Sequence, residues 1–256
     1  MNLPIGDRVA FWSDLFLKQS SEITRRISST GVAPSIRDSA PLLPPHYDCT
    51  TFVETIAALS LSKEIGEFYP RLLSIRYYDG KFDFIHRNHF PEADWIPNNT
   101  RSGILTDITE AVARSAGVFA GTEVKMIGRG KWLSQQVQQG KVSRSIASES
   151  DEAFHAPPVQ AKVAYVPVEE IDKVSAKIPN GTVLNLVRGN NPHQPVLITH
   201  QGFVVQKEGV TYLRHATPDG NIRTVELSKY LHAQFGKDRK GWPVIGVNLN
   251  QLNDRS

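Results

Sequence analysis

The sequence predicts an α+β fold built on an antiparallel sheet. Apolar residues recur at helical spacing in the opening segments, whereas from Ala161 onward they fall in short β-prone runs separated mostly by Gly, Asn or Asp. Helices first and strands later is the order of an α+β chain rather than of alternating βαβ units. At 256 residues and 40% hydrophobic content the chain can bury a large core. We read residues 1–256 as one domain, with residues 1–40 as a helical N-terminal extension.

Taken in order, Val9, Trp12, Leu15, Phe16, Ile23 and Ile27 have the spacing of one or two amphipathic helices, and a loop follows through SSTGVAPSIRDSAPLLPPHY. Pro44 and Pro45 disfavour a helix before Tyr47; Phe52, Val53, Ile56, Ala57 and Leu59 then mark a helix whose first turn holds Cys49. LLSIRYYDGKFDFIHR reads as a hairpin around Asp79-Gly80. NHFPEADWIPNNTRSG breaks regularity, and residues 143–158 read as a polar surface loop. The expected strands are AKVAYVPV, TVLNLVRG, PVLITHQGFVV, VTYLRHAT and IRTVEL.

A net charge of +3 is too small for a typical nucleic-acid-binding domain, and the basic stretch GRGKWLSQQVQQGKVSRS reads as a solvated helix and loop. No run approaches the roughly 18 apolar residues that a membrane span needs. The opening residues lack the apolar centre of a signal peptide, which leaves both a cytoplasmic and a processed periplasmic or secreted protein open.

The chain has one cysteine, so Cys49 has no internal disulfide partner and is either small buried filler or a reactive thiol. A helix N-terminus favours the thiolate, the form that attacks. A base is available in ITHQGFVVQKEGVTYLRHAT: if the two strands fold back regularly around QKEG, His200 and His215 stand directly opposite on one face, close enough for one imidazole to orient the other. His86, Arg87, His89, Asp94 and Trp95 form a second constellation. Its metal reading, with His86 and His89 joined by a carboxylate, lacks clean ligand spacing. A loop of this composition more often binds a polar or sugar-like ligand, or pairs its own charges.

The stretches YDCTTFVE, DGKFDFIHRNHFPEADWIPNN, THQGFVV and LRHAT, spread in this order from Tyr47 to Leu231, resemble the DUF1460 group of NlpC/P60-type cysteine hydrolases, the N-acetylmuramoyl-L-alanine amidase-like proteins of bacteria. The resemblance implies a papain-like core with the nucleophile at a helix N-terminus packed on an antiparallel sheet. It assigns Cys49 as nucleophile, His200 as base and His215 as the residue orienting the base. It gives substrate contacts to Tyr47 and Asp48, and to Arg87, His89, Asp94 and Trp95 of an R-x-H-[YF]…DW signature. The implied reaction cleaves the amide between N-acetylmuramic acid and L-alanine in peptidoglycan or muropeptides, without metal or cofactor, in a periplasmic or secreted setting. Trp95 under the sugar ring and Arg87 on its polar groups are the expected roles, against an internal Arg87–Asp94 ion pair. A stem-peptide endopeptidase, a secreted antibacterial effector and a non-catalytic wall-binding module are the alternatives. The first forty residues have no counterpart in this pattern, and GVNLN lacks an arginine expected near that end.

Overall fold

The computed structural model describes residues 3–27, 47–140, 143, 157–235 and 241–254. The opening periodicity produces one helix, α1 (Ile5–Ile27), and most of the expected loop after it lies outside the described residues, as does most of the 143–158 loop. Helix α2 (Cys49–Leu61) starts where the sequence placed it: Asp48 is the N-cap, its carboxylate accepts the Thr51 N–H at 2.7 Å, and Thr51 returns its side chain to the Asp48 N–H. Phe52, Val53 and Ile56 are fully buried, each stabilising the fold by about 1.5–3 kcal/mol.

The hairpin expected around Asp79-Gly80 is not there. LLSIR closes helix α3 (Ile65–Arg76), where Phe68, Leu72 and Ile75 bury at a helical period that overrides their β propensity. Only the turn survives: Asp79 and Gly80 both take positive φ, and a single antiparallel bridge joins Tyr77 to Arg87. The segment read as irregular winds into a π-helical turn (Pro91–Trp95) and helix α4 (Ile96–Arg101).

Among the described residues the sheet has eight antiparallel strands. Strand β1 (Leu105–Asp107) and helix α5 (Thr109–Ser115) precede β2 (Gly121–Ile127), helix α6 (Arg129–Gln138) and β3 (Val159–Pro167). Then come β4 (Val183–Arg188), β5 (Ile198–Lys207), β6 (Val210–Ala216), β7 (Ile222–Glu226), helix α7 (Leu227–Phe235) and β8 (Val244–Leu252). The order is β2-β3-β8-β4-β5-β6-β7, with β1 paired to β8. All five expected strands form; β1, β2 and β8 were not foreseen, and β8, which lies between β3 and β4, escaped because Asn248 and Asn250 break up its apolar run although both are buried.

The two sheet faces carry separate cores. On one, Val9 of α1, Phe52 and Ile56 of α2 and Leu72 of α3 meet Val183 and Phe203. On the other, Leu184, Val204, Leu213 and Val247 pack with Leu227 and Leu231 of α7. Helix α1 is tied to β6 by Arg214, which donates to the Ala10 carbonyl at 3.1 Å and to Ser13 Oγ at 2.9 Å. Among the described residues, no helix is long and apolar enough to cross a membrane.

Candidate active site

Cys49 is half-buried at the start of α2, against the Gln201 backbone of β5. Burial, and secondarily the Asp48 charge, push its thiol above the ordinary value, although the backbone N–H groups of Gln201 and Thr50 favour the thiolate. The helix-start effect expected from sequence is thus outweighed by desolvation, and the sulfur rests as a thiol.

His200 lies one residue before Gln201, after a bulge where β5 shifts register against β4. Strand β5 pairs with β6 from Phe203↔Arg214 to Lys207↔Val210, closed by Glu208 and Gly209 at positive φ. The pairing is therefore shifted by two residues from the expected register: extended, it sets His215 opposite Gly202, and His200 is diagonal to it rather than directly across. A shift of two keeps both on one face. His200 Nε2 and His215 Nδ1 stand 2.7 Å apart with the rings nearly perpendicular, at 89°. Gly202 makes room for this reach, since a Cβ there falls 2.9 Å from His215 Cβ and 2.7 Å from the Arg214 carbonyl. Tyr230 of α7 packs on His215 from behind. Burial pushes both imidazoles down to about 4; the His215 charge adds to this for His200, and the Arg223 charge for His215. A neutral thiol and neutral imidazoles make the resting site, in place of the thiolate–imidazolium pair that position alone suggests. Among the described residues, no hydrogen bond joins Cys49 to either histidine.

Tyr47 packs edge-on against Phe16 of α1 and Phe52 of α2, so its ring fixes the approach to the helix. Asp48 is occupied with the cap. Arg87, His89 and Asp94 do converge, lining a pocket of about 290 Å³ with Tyr78, His86 and Arg129. Their partners differ from those expected. Arg87 faces Glu54 of α2 at 3.4 Å, which Arg76 also engages at 2.7 Å, while Asp94 pairs with Arg129 and accepts the Phe90 N–H. His89 Nε2 meets the Phe84 carbonyl at 2.8 Å, its ring is pressed against Trp132, and burial lowers it to about 4.

Trp95 does not meet its expected role. It is 1% exposed, inside the core with Phe52 and Ile75, and offers no ring face to a sugar. The metal reading fails on geometry too: His86 is held by Asp83 at 2.7 Å, and no group of three His, Cys, Asp or Glu side chains converges among the described residues. Three residues escaped the sequence reading. Glu54 interrupts the apolar run FVETIAAL, Arg129 opens α6 and Gln201 follows His200 in ITHQGFVV; a charge or amide inside an apolar run was the available signal for Glu54 and Gln201, and Arg129 had none.

A helix-start thiol against β5, the hydrogen-bonded imidazole pair on β5 and β6, and a pocket lined by Arg87 and Arg129 make up the polar site of this α+β protein. The N-acetylmuramoyl-L-alanine amidase-like family model matches residues 34–237, and the chain belongs to that family. A DUF1460 protein from Legionella pneumophila str. Philadelphia 1 superposes with a TM-score of 0.79 over 97% of this chain and 89% of its own at 21% identity, a likeness of fold. An N-acetylmuramoyl-L-alanine amidase from Bacteroides uniformis ATCC 8492 is 25% identical, with a TM-score of 0.59 over 80% of this chain and 83% of its own. No curated protein matches the chain significantly. Helix α1 lies ahead of the family match yet packs on α2 and holds β6.

Proposed function

We propose that the chain is a cysteine hydrolase with a papain-like, NlpC/P60-type core forming one catalytic domain, and that it cleaves the amide between N-acetylmuramic acid and L-alanine in peptidoglycan or muropeptides. The observation that carries the reading is the 2.7 Å His200–His215 hydrogen bond on the strand whose backbone touches Cys49. Cys49 is the nucleophile, His200 the base and His215 the residue that orients it. For Nδ1 of His200 to accept the thiol proton, its Nε2–H must donate to His215 Nδ1, which fixes both tautomers. As sulfur attacks the lactyl carbonyl, its proton passes to His200; the amine of L-alanine then leaves with that proton, and water hydrolyses the thioester. The Thr51 N–H is taken by the cap, the Phe52 N–H by the Asp48 carbonyl and the Thr50 N–H faces the sulfur, so the Cys49 N–H is the helix-start donor left for the oxyanion. Because thiol and imidazole both rest neutral, proton transfer accompanies attack.

The pocket around Arg87, His89, Asp94 and Arg129 is the substrate-binding candidate, and the periplasm or the cell exterior is the setting that such a substrate implies. Mass spectrometry of products from defined muropeptides tests the assignment: release of an intact stem peptide beginning with L-alanine by wild-type protein and none by Cys49→Ala supports it, and equal turnover by Cys49→Ala sinks it. The burial of Trp95 favours a second reading, a stem-peptide endopeptidase, since the expected sugar platform is missing. Cleavage of a sugar-free peptide between stem residues would promote it.

A further inference from the structure

Behind the helix start, a line of buried amides crosses the sheet. The Thr50 hydroxyl donates to Gln201 Oε1 at 2.8 Å, Gln201 Nε2 to Asn185 Oδ1 at 2.7 Å, and Asn185 Nδ2 to Asn248 Oδ1 at 3.0 Å. Asn248 Nδ2 ends the line on Asp107 Oδ2 at 2.9 Å, Thr109 Oγ1 at 3.1 Å and the Ala164 carbonyl at 3.1 Å. Gln201 is 1% exposed, Asn185 0% and Asn248 2%. The line follows the register, since Asn185 pairs with Gln201 on β5 and with Asn248 on β8.

The direction of this line is fixed from its far end. A carboxylate and a backbone carbonyl can only accept, so Asn248 must turn its amide nitrogen toward them and its oxygen toward Asn185. Asn250 adds a second donor to that oxygen. Asn185 must then present nitrogen to Asn248 and oxygen to Gln201, and Gln201 oxygen to Thr50. Thr50 has one hydroxyl proton, which is committed to Gln201. Cys49 Sγ lies 3.9 Å from the same Thr50 oxygen, on which only lone pairs remain.

We propose that Gln201 is a positioning residue for Cys49: through the polarised line Asn248–Asn185–Gln201 it holds the Thr50 hydroxyl proton away from the sulfur, so that this hydroxyl offers the nucleophile an acceptor and not a donor. The inference rests on the reading of Cys49 as nucleophile. Its consequence is chemical: the Thr50 oxygen faces the sulfur with lone pairs at rest, and the thiolate formed during attack receives no hydrogen bond from the Thr50 hydroxyl.

The test is alkylation of Cys49 by iodoacetamide in the full chain as a function of pH, read by mass spectrometry. Gln201→Met keeps side-chain length but gives Thr50 no acceptor; its hydroxyl then turns to the sulfur. The alkylation midpoint should fall by about one pH unit. The plateau rate at high pH should fall about threefold, because a thiolate of lower pKa is a weaker nucleophile. In a Thr50→Val background the same Gln201→Met change should move neither quantity. An unmoved midpoint in Gln201→Met, or an equal shift without the Thr50 hydroxyl, overturns the proposal, since a merely structural Gln201 acts independently of Thr50. Should Gln201→Met misfold because Asn185 Oδ1 has lost its donor, the double variant Asn185→Leu with Gln201→Leu removes both partners and leaves Asn248 Oδ1 its Asn250 donor, with the same expected shifts. Alkylation reads the sulfur without turnover: activity retained by Cys49→Ala sinks the nucleophile alone, and an unmoved midpoint sinks the positioning role alone.

Discussion

Two polar assemblies reach helix α2 one turn apart, and they are built differently. Thr50 joins the neutral amide line through Gln201, Asn185 and Asn248, where each donor along the line meets an acceptor in one direction. Glu54 joins a charged group, taking Arg76 at 2.7 Å and Arg87 at 3.4 Å while fully buried. Among the described residues, that group leaves Glu54 Oε1 and Arg76 Nη2 without hydrogen-bond partners. The amide line specifies orientation at little cost in desolvation. The ion group specifies charge, and its stability depends on no member being removed.

The largest effect should therefore come from cutting the charged group. Glu54→Ala strands Arg76, which is 2% exposed, and part of Arg87. Removing one partner of a buried ion pair costs about 3–5 kcal/mol, which for a chain of this size is on the order of 10 °C in melting temperature. Calorimetry checks this; a loss below about 2 °C would mean that the group is as forgiving as a surface pair, and the contrast with the amide line collapses.

A smaller effect, on binding rather than stability, follows from Arg87→Lys. Its contact with Glu54 is long, and its guanidinium lies 5.6 Å from the Tyr77 ring centroid at the pocket wall. Lysine keeps the charge but loses the planar fork. The expected result is a melting temperature within about 2 °C of wild type and a KM raised about tenfold on a muramoyl peptide with kcat little changed, as for one lost charge-assisted bond. A fall in stability without a change in KM would make Arg87 scaffold only.

These assemblies also mark where sequence reasoning reached and where it stopped. Cys49 at a helix start was legible because two prolines end the preceding loop and an apolar helical period begins at Phe52, although the capping role of Asp48 was not read. The histidine pairing was legible even with the wrong register, because an error of two residues preserves the face. The ion group was not, since nothing local tells whether Arg87 turns to Asp94 or to Glu54, thirty-three residues away in sequence. Trp95 was misjudged for the same reason: burial is a property of the assembled core, and an aromatic beside charged residues looks the same in sequence whether it faces ligand or Phe52. The amide line was hidden in strand β8, whose asparagines resemble loop residues until their neighbours are known.

Acidity separates the two kinds of assembly further, because the amides of Gln201, Asn185 and Asn248 carry no titrating proton. His200, His215 and His89 are pushed down to about 4, so on acidification the unfolded chain, with histidines near 6.5, binds protons first. Stability held above pH 6.5 is lost as pH falls toward 4. Glu92, raised by burial to about 7, works in the opposite sense, favouring the fold in acid and losing that contribution as pH climbs from 4.5 to 7. Three groups against one give a lower melting temperature at pH 5 than at pH 7.5. The acid limb of turnover should accordingly fall near pH 4 rather than 6.5, and a limb at 6.5 would show that the imidazole pair is not held neutral by burial.

The smallest effect concerns Asp48, which lies in the field of both assemblies: its charge raises the Cys49 thiol and supports the Arg87 guanidinium. Asp48→Asn separates these influences from the cap. Asparagine caps as well as aspartate, so its oxygen can still accept the Thr51 N–H, and stability should stay within about 0.5 kcal/mol. With the charge removed, desolvation alone raises the thiol, and the Cys49 alkylation midpoint should move down by a few tenths of a pH unit, the size of a partly screened neighbour. The shift should persist in the Gln201→Met background, because a charge acts through space whereas the amide line acts through the Thr50 proton. An upward shift would mean that loss of a negative charge at the helix N-terminus, or a changed cap, outweighs Coulomb repulsion on the sulfur, and the account of why this thiol rests protonated would need a different cause.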